Sequence, residues 1–204
     1  MIKLKQIESI CKKRKTVITT EAAGSQWIGD GSAFYPVSGL PKLTRENIFT
    51  IFDVPWDKRE NFYFDQRELP GINFEDVDPT EKLCGKGDSY VIYNGLTLCP
   101  IAASQGLMLL DAKYLKPFYG TDDGFDVYER INSQGVSYFA IKQGFILLGI
   151  ILPVSIPWKP LINLLRDWHA WACISEANEL TARMADMRQE GLLDEQEADN
   201  GAED

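Results

Sequence analysis

The sequence predicts an α+β fold in which a strand–helix–hairpin unit occurs twice and a helical tail follows. The main observation is that residues 26–41 (QWIGDGSAFYPVSGLP) and 139–153 (FAIKQGFILLGIILP) align without a gap at an offset of 113 positions. The matched pairs are Ile28 with Ile141, Gly31 with Gly144 and Val37 with Ile150. A second observation is that an amphipathic helix and a strand precede each segment. The alternative interpretation is that any two amphipathic hairpins look alike.

The first copy covers about residues 2–37 and begins with an amphipathic helix over 2–15. Its apolar residues recur at the spacing of one helix face, and from the first turn onward they are Leu4, Ile7, Ile10 and Cys11. The β-branched segment KTVITTE predicts a strand, and AAGS predicts a turn. We predict residues 26–37 as a single second strand, with a bulge or bend at Gly29 and Gly31.

An insert over residues 42–86 separates the two copies. Thr44 is a suitable cap for a short helix that Pro55 ends, and ENFYFDQREL predicts a strand after it. The following segment, PGINFEDVDPTEKLCGKGD, is polar and rich in turn residues. Beyond the insert, Asn94 and Gly95 give the strongest short hairpin signal in the chain.

The second copy covers about residues 107–154. A short apolar strand leads into a short helix that Pro117 and Gly120 end, and the strand FDVYERI, the turn NSQG and a last strand follow. Four apolar positions match those of the first helix at an offset of 108, namely Leu110, Ala112, Leu115 and Phe118. The residues expected to be mostly buried in the strands are Ile28, Ala33, Ile141, Phe145, Leu147 and Ile150.

The sequence pattern changes after residue 157, and we place a first domain at residues 1–157. Residues 158–190 predict one helix, whose first turns carry an apolar stripe that we expect to dock on the body, formed by Trp158, Leu161, Leu165 and Trp168. Its later apolar residues, Leu180, Met184 and Met187, predict a surface that binds a partner or a second copy. Residues 191–204 predict an acidic, disordered tail.

The charge is concentrated at one end of the chain. The formal net charge is −9, but seven of the thirty acidic residues lie after Arg188, and the rest of the chain holds 21 basic and 23 acidic residues. The longest apolar run is too short to span a membrane, and the charged N-terminus is unlike a signal peptide. We therefore expect a cytoplasmic protein without membrane contact. The four scattered cysteines predict buried or idle thiols.

The sequence contains no motif that would support catalysis. The one histidine, His169, lies on the tail helix, and neither a G-x-S-x-G segment nor a phosphate-binding glycine loop occurs. Asp122, Asp123 and Asp126 lack the distal ligand of a calcium loop. The sequence therefore predicts a non-enzymatic protein with no catalytic residues, no metal and no cofactor.

The order of these segments resembles the DNA sliding clamps, or processivity factors, over about residues 1–155. GDGSAFYPV at 29–37 is similar to the clamp segment in which Asp-Gly precedes a core strand. LMLLDAKYLKPF at 107–118 resembles the clamp strand that leads into a short helix, and GFILLGIILPV at 144–154 resembles the strand that closes a clamp domain. The chain also resembles, more vaguely, uncharacterised proteins of phages and prophages of Gram-positive bacteria.

The clamp resemblance implies that the two copies are related by a pseudo-twofold rotation and that their helices contact duplex DNA. The residues that would touch phosphates without reading bases are Lys3, Lys5, Lys12, Lys13, Arg14, Lys15, Lys113 and Lys116. As exposed charges they should contribute little to stability. The alternative is that KKRK is only the solvated face of a surface helix. The chain also differs from ring clamps, since it has room for one duplicated domain and carries the insert.

Two functions follow from these expectations. The first is a DNA-associated accessory protein that makes sequence-independent contacts through its basic helices. The second is a phage or prophage structural or adaptor protein in which the same fold is only an assembly scaffold. Salt-dependent duplex binding indicates the first function, whereas self-association without DNA binding indicates the second.

Overall fold

A computed structural model of the chain describes residues 3–87, 89–119, 124–155 and 163. The chain divides into two units, Met1–Ser155 and Ile156–Asp204. The helices of the first unit are α1 (Leu4–Arg14), α2 (Arg45–Ile51) and two 3₁₀ helices (Trp56–Asn61 and Ala112–Phe118). Apart from residue 163, the predicted tail helix, the predicted acidic tail and the partner-binding residues Leu180, Met184 and Met187 lie outside the described residues.

The strands form two sheets, so the architecture is a mixture of α and β elements. In chain order the strands are β1 (Thr16–Ala22), β2 (Ser25–Gly29), β3 (Ala33–Val37), β4 (Tyr63–Gln66), β5 (Lys82–Leu83), β6 (Gly85–Lys86), β7 (Val91–Tyr93), β8 (Leu96–Ala103), β9 (Gly106–Asp111), β10 (Asp126–Ile131), β11 (Ser137–Gln143) and β12 (Ile146–Ile151). The larger sheet has eight strands in the order β4-β1-β2-β3-β12-β11-β10-β5, and the smaller one pairs β8 with β6, β7 and β9.

The strand order of the larger sheet is symmetric about its centre, with a group of three consecutive strands and one short edge strand on each side. The antiparallel strands β1, β2 and β3 follow α1 in the chain, and the antiparallel strands β10, β11 and β12 follow the second 3₁₀ helix. The two groups join where Ala33 pairs with Ile151 and Phe34 pairs with Ile150. A short strand from the predicted insert completes each edge, β4 on one side and β5 on the other.

Each of the two long predicted strands is in fact a pair of strands joined by a tight turn. The first breaks between β2 and β3 near Gly31, and the second breaks between β11 and β12 at Gly144. Both glycines have positive φ angles, 91° and 59°, a conformation that glycine adopts without steric cost. The prediction of one long strand in each copy, bent at Gly29 and Gly31 in the first, is therefore wrong, although each aligned glycine lies in the turn before the last strand of its group.

The predicted core is confirmed at five of its six positions. Ile28, Ala33, Ile141, Leu147 and Ile150 are buried in strands of the larger sheet. Phe145 is 87% exposed, so its assignment to the core is wrong. It directly follows Gly144 in the turn between β11 and β12, where a side chain projects beyond the end of the sheet.

Helices cover one face of the larger sheet, which we call the helix face. On that face α1 buries Ile7, Ile10 and Cys11 against strand residues that include Ile28. The second 3₁₀ helix lies beside α1, because the amide of Lys3 donates to the carbonyl of Pro117 over 3.4 Å. The sequence signals for the smaller elements are confirmed, with Thr44 capping α2 and an Asn94–Gly95 turn joining β7 and β8.

The segment over residues 67–81 covers the opposite face, which we call the loop face. Its Phe74 ring lies 4.8 Å from the ring of Trp27 and 6.2 Å from that of Phe34. The buried guanidinium of Arg130 fixes the segment by donating to Glu81 and to three main-chain carbonyls. The polar loop predicted for this part of the chain is thus an ordered cover of the sheet.

Two further observations concern the helices and the cysteines of the described residues. None of the helices in the described residues combines the length and apolar character that crossing a membrane requires. Cys11, Cys84 and Cys99 are buried, as the sequence predicts for them. The fourth cysteine, Cys173, lies outside the described residues.

Candidate nucleic-acid interface

Helix α1 separates its apolar and basic residues cleanly. Ile7, Ile10 and Cys11 face the core, and one acidic residue, Glu8, occurs among the eleven residues of the helix. The last turn consists of Lys12, Lys13 and Arg14, and cations at this end interact favourably with the negative end of the helix dipole. The local sequence thus stabilises the helix while leaving a basic outer face.

The second 3₁₀ helix is held tightly on the sheet by its apolar side chains. The carboxylate of Asp111 accepts a hydrogen bond from the amide of Lys113 over 3.1 Å and so caps the helix. Phe118 packs against β12 where Gly149 has no side chain, and a Cβ atom there would lie 2.6 Å from Phe118. With the apolar residues buried, Lys116 faces solvent and Lys113 is partly exposed.

The two helices together form a basic groove, which we name the paired-helix groove. It has a volume of about 210 Å³, and its lining contains no acidic residue. Four of the predicted DNA contacts line it, Lys13 and Arg14 from α1 and Lys113 and Lys116 from the 3₁₀ helix. Residues about a hundred positions apart in the sequence therefore contribute to one concave surface.

Two further depressions extend the basic surface along α1. Lys5, Lys12 and Lys13 line an open one together with Glu8, whose carboxylate accepts a hydrogen bond from Lys12 over 2.6 Å. Lys12 and Lys15 line the other, which also includes Lys58 from the insert. Since neighbouring depressions share Lys12 or Lys13, we call the three together the basic band. Lys58 was missed because no pattern in the sequence places the insert beside α1.

The predicted contact Arg14 also has a structural role. Its guanidinium donates to the hydroxyl of Ser32 over 2.6 Å and to that of Tyr114 over 3.1 Å, and it lies 3.6 Å from the fully buried carboxylate of Asp30. Partial burial alone would lower the pKa of Arg14, but the Tyr114 hydrogen bond and the charge of Asp30 raise it overall. Arg14 is exposed, with 51% of its side chain accessible, as expected, but it also links α1 to the second helix and to the β2–β3 turn.

Lys113 is also partly engaged within the protein. Its ammonium lies 2.8 Å from the Asp111 carboxylate and 4.5 Å from the centre of the Tyr114 ring. Partial burial would lower the pKa of Lys113, but the hydrogen bond to Asp111, together with the charge of Asp111 and the interaction with Tyr114, raises the pKa overall. The lysine remains charged at neutral pH, but a ligand phosphate must compete with Asp111 for it.

The remaining predicted contacts are more freely available. Lys5, Lys13 and Lys116 are exposed, and they form no ion pair with any other residue that the structure describes. Lys15 is exposed directly after α1 and lines one depression of the band, whereas Lys3 is exposed directly before α1 and lines none of the three. The structure therefore brings all the predicted residues except Lys3 into the basic band.

Comparison of the chain with protein-family models, with curated proteins and with solved structures finds no match.

Proposed function

We propose that the chain is a non-enzymatic DNA-associated accessory protein with a sliding-clamp-like fold. In this proposal the basic band contacts the phosphates of duplex DNA without reading its sequence, and the protein acts in the cytoplasm. The observation that carries the proposal is the paired-helix groove, in which Lys13, Arg14, Lys113 and Lys116 converge from two helices with no acidic residue among the lining.

The order of elements supports the clamp-like part of the proposal. Each half of the larger sheet contains three antiparallel strands that follow a helix in the chain. The two halves meet through β3 and β12. Both helices lie on the same face of that sheet, side by side. A duplicated unit related by a pseudo-twofold axis would produce this arrangement, and it would also produce one shared helical surface.

The chemistry of the basic band supports contacts that are independent of sequence. A lysine ammonium supplies charge without the fixed pair of donors that distinguishes one base edge from another. Phosphate contacts of this kind release counterions, so affinity falls steeply as the salt concentration rises. The acidic residues that dominate the net charge lie largely after Arg188, and the band itself is locally basic.

The proposal is tested by removing two freely exposed cations of the groove. We expect the double variant Lys13→Ala/Lys116→Ala to bind duplex DNA more weakly whatever its sequence. The slope of log affinity against log salt should fall by about 0.9 for each phosphate that the variant no longer neutralises. Fluorescence anisotropy with two duplexes of unrelated sequence, between about 50 and 200 mM salt, measures both quantities.

A charge-matched control separates local contacts from net charge. The double variant Lys42→Ala/Arg67→Ala also removes two positive charges, from side chains that pair with Glu21 and Asp65 away from the groove. Its affinity and salt slope should equal those of the parent. If the parent protein binds neither duplex at low salt, or if the control weakens binding as much as the groove variant, the proposal is wrong.

The second candidate is a phage or prophage structural or adaptor protein that uses the fold only as an assembly scaffold. It is favoured by large apolar side chains at the surface, since Phe145 is 87%, Ile92 80% and Ile146 63% exposed. Exposed apolar side chains are suited to contacts between copies. Self-association in analytical ultracentrifugation, without duplex binding in the anisotropy experiment, would support this candidate over the first.

A further inference from the structure

Trp56 is a large aromatic side chain held in place on one side and open to solvent on the other. It begins the first 3₁₀ helix and is 82% exposed. The guanidinium of Arg59 lies 5.1 Å from the centre of its ring and 5.4 Å from the ring of the buried Phe49. The same guanidinium donates to the carbonyl of Val54 over 3.0 Å. Arg59 therefore supports the indole ring without covering it.

The groove beside Trp56 is the largest depression of the basic band. It has a volume of about 550 Å³, and its charged lining residues are Lys12, Lys15, Lys58 and Asp53. Trp56 is not itself a lining residue, but in the chain it directly follows Pro55 and precedes Lys58, which both line the groove. Three cations and one anion thus surround a cavity next to an exposed aromatic ring, and the cavity shares Lys12 with the rest of the band.

We propose that this groove binds a single-stranded segment of nucleic acid, with one base stacked on Trp56 and the backbone phosphates on Lys12, Lys15 and Lys58. The inference rests on the proposed function and narrows it, because the paired-helix groove then holds the adjoining duplex while Lys12, Lys15 and Lys58 contact the single strand. Cations that follow a backbone beside an aromatic ring on which a base can stack are the usual elements of a single-strand site. The protein would therefore favour a junction between duplex and single strand.

A single strand with an unpaired base is the ligand that suits both the lysines of the groove and the exposed aromatic ring beside it. Base pairs inside a duplex are stacked on one another and cannot reach an aromatic ring at a protein surface without being flipped out. An acidic peptide would pair with the lysines, but it would gain little from an exposed indole ring. A single strand uses the charge and the ring together, and stacking on the ring is tolerant of sequence because every base has a flat face.

The experiment compares three DNA probes by fluorescence anisotropy. They are a blunt duplex, the same duplex with an oligo(dT) overhang, and the oligo(dT) strand alone. The parent should bind the overhang probe more tightly than the blunt one. Trp56→Ala should weaken binding of the overhang probe and of the single strand by about 5- to 100-fold. Its affinity for the blunt duplex should not change.

Two further variants identify the source of any effect. Phe145→Ala removes an equally exposed aromatic ring from the β11–β12 turn and should leave all three affinities unchanged. Lys58→Ala should lower the salt slope for the single strand by about 0.7, whereas Trp56→Ala should leave that slope intact because the indole ring neutralises no phosphate.

The results of this experiment distinguish the inference from the proposed function. Equal binding of blunt and overhang probes, unaffected by Trp56→Ala, overturns the inference and leaves the duplex proposal standing. Binding of the single strand alone, weakened by Trp56→Ala, supports a single-strand site and overturns the duplex proposal. If no probe binds, both are wrong.

Discussion

Glu129 shows how a single side chain of β10 is stabilised as a buried carboxylate. The residue is 1% exposed, and its two oxygens accept hydrogen bonds of 2.7 Å, one from the amide of Ser104 and one from the hydroxyl of Ser137. Burial alone would raise the pKa of Glu129. The two serine hydrogen bonds and the charge of Lys82 more than offset burial and place the pKa below its ordinary value. The folded protein therefore favours the ionised form.

This lowered pKa predicts a loss of stability in acid that depends on Glu129. The ionised carboxylate stabilises the fold above its pKa in the unfolded chain, about 4.3, and the contribution is lost as the pH falls through the lower pKa of the folded state. We expect Glu129→Gln to reduce the free energy of unfolding at pH 7 by about 1–3 kcal/mol. The variant should also lose less stability than the parent on acidification.

Urea denaturation at a series of pH values measures both effects. The control is Glu68→Gln, which neutralises an exposed carboxylate and should follow the parent at every pH. If the Glu129→Gln variant loses stability in acid as steeply as the parent, Glu129 is not the source of the acid-dependent loss.

Helix α1 carries two kinds of cation that its sequence does not distinguish. In LKQIESICKKR, Lys13 and Arg14 are adjacent and both basic. Lys13 has no ion pair within the described residues, whereas Arg14 is hydrogen-bonded to Ser32 and Tyr114 on two other elements. Adjacent residues of one helix therefore differ in their contacts, since only Arg14 also ties the helix to its neighbours.

We expect Arg14→Ala to lower the free energy of unfolding by about 1–3 kcal/mol, since it leaves the buried Asp30 without its cation and removes two hydrogen bonds. Lys13→Ala should change it by less than about 0.5 kcal/mol, as is usual for an exposed charge. Chemical denaturation of the two variants in parallel gives the comparison. Equal stability of the two would show that the Arg14 contacts contribute nothing.

Elements with strong local signals were predictable from the sequence, and those that depend on distant partners were not. Apolar spacing indicated α1, and Thr44 and Asn94–Gly95 marked a helix cap and a hairpin turn that the structure contains. A glycine within an apolar run fits either a bulge or a turn, so the breaks at Gly31 and Gly144 were not distinguishable from bends. The groove at Lys58 requires a tertiary contact between the insert and α1, which no local pattern encodes.

At the scale of the whole domain, the two faces of the larger sheet are covered by different means. Helices cover one face, and the segment over residues 67–81 covers the other around the side chain of Arg130. Arg130 is fully buried, and the carboxylate of Glu81 accepts hydrogen bonds from both Arg130 and Lys142. The alignment of the two copies predicted equivalent elements, but it contained no information about this cover, which lies in the insert and has no counterpart in the second copy.

We expect Arg130→Met to destabilise the domain by about 3–5 kcal/mol, because it removes a buried cation, one of the two donors to the partly buried Glu81 and the side-chain donor to three loop carbonyls. Tyr138→Phe removes the hydroxyl that accepts a hydrogen bond from the amide of Asn73 over 3.0 Å and donates a long one to Asp78 over 3.5 Å, both on the same loop, and it should cost only about 1 kcal/mol. Urea denaturation provides the energies, and limited proteolysis reports whether residues 67–81 become accessible. A small effect of Arg130→Met, similar to that of Tyr138→Phe, would show that the loop is held by its apolar contacts instead.

The pairing of β3 with β12 has a consequence for the order in which the domain folds. The hairpins within each half join strands that are close in the sequence, such as β1 and β2 through Ala22 and Ser25. The central pairing of Phe34 with Ile150 instead closes a chain segment of more than a hundred residues. By the logarithmic dependence on loop length, that closure costs about 2–3 kcal/mol more in chain entropy than a hairpin turn. The two halves should therefore begin to form independently, and the step that limits the folding rate should be their meeting at this central strand pair.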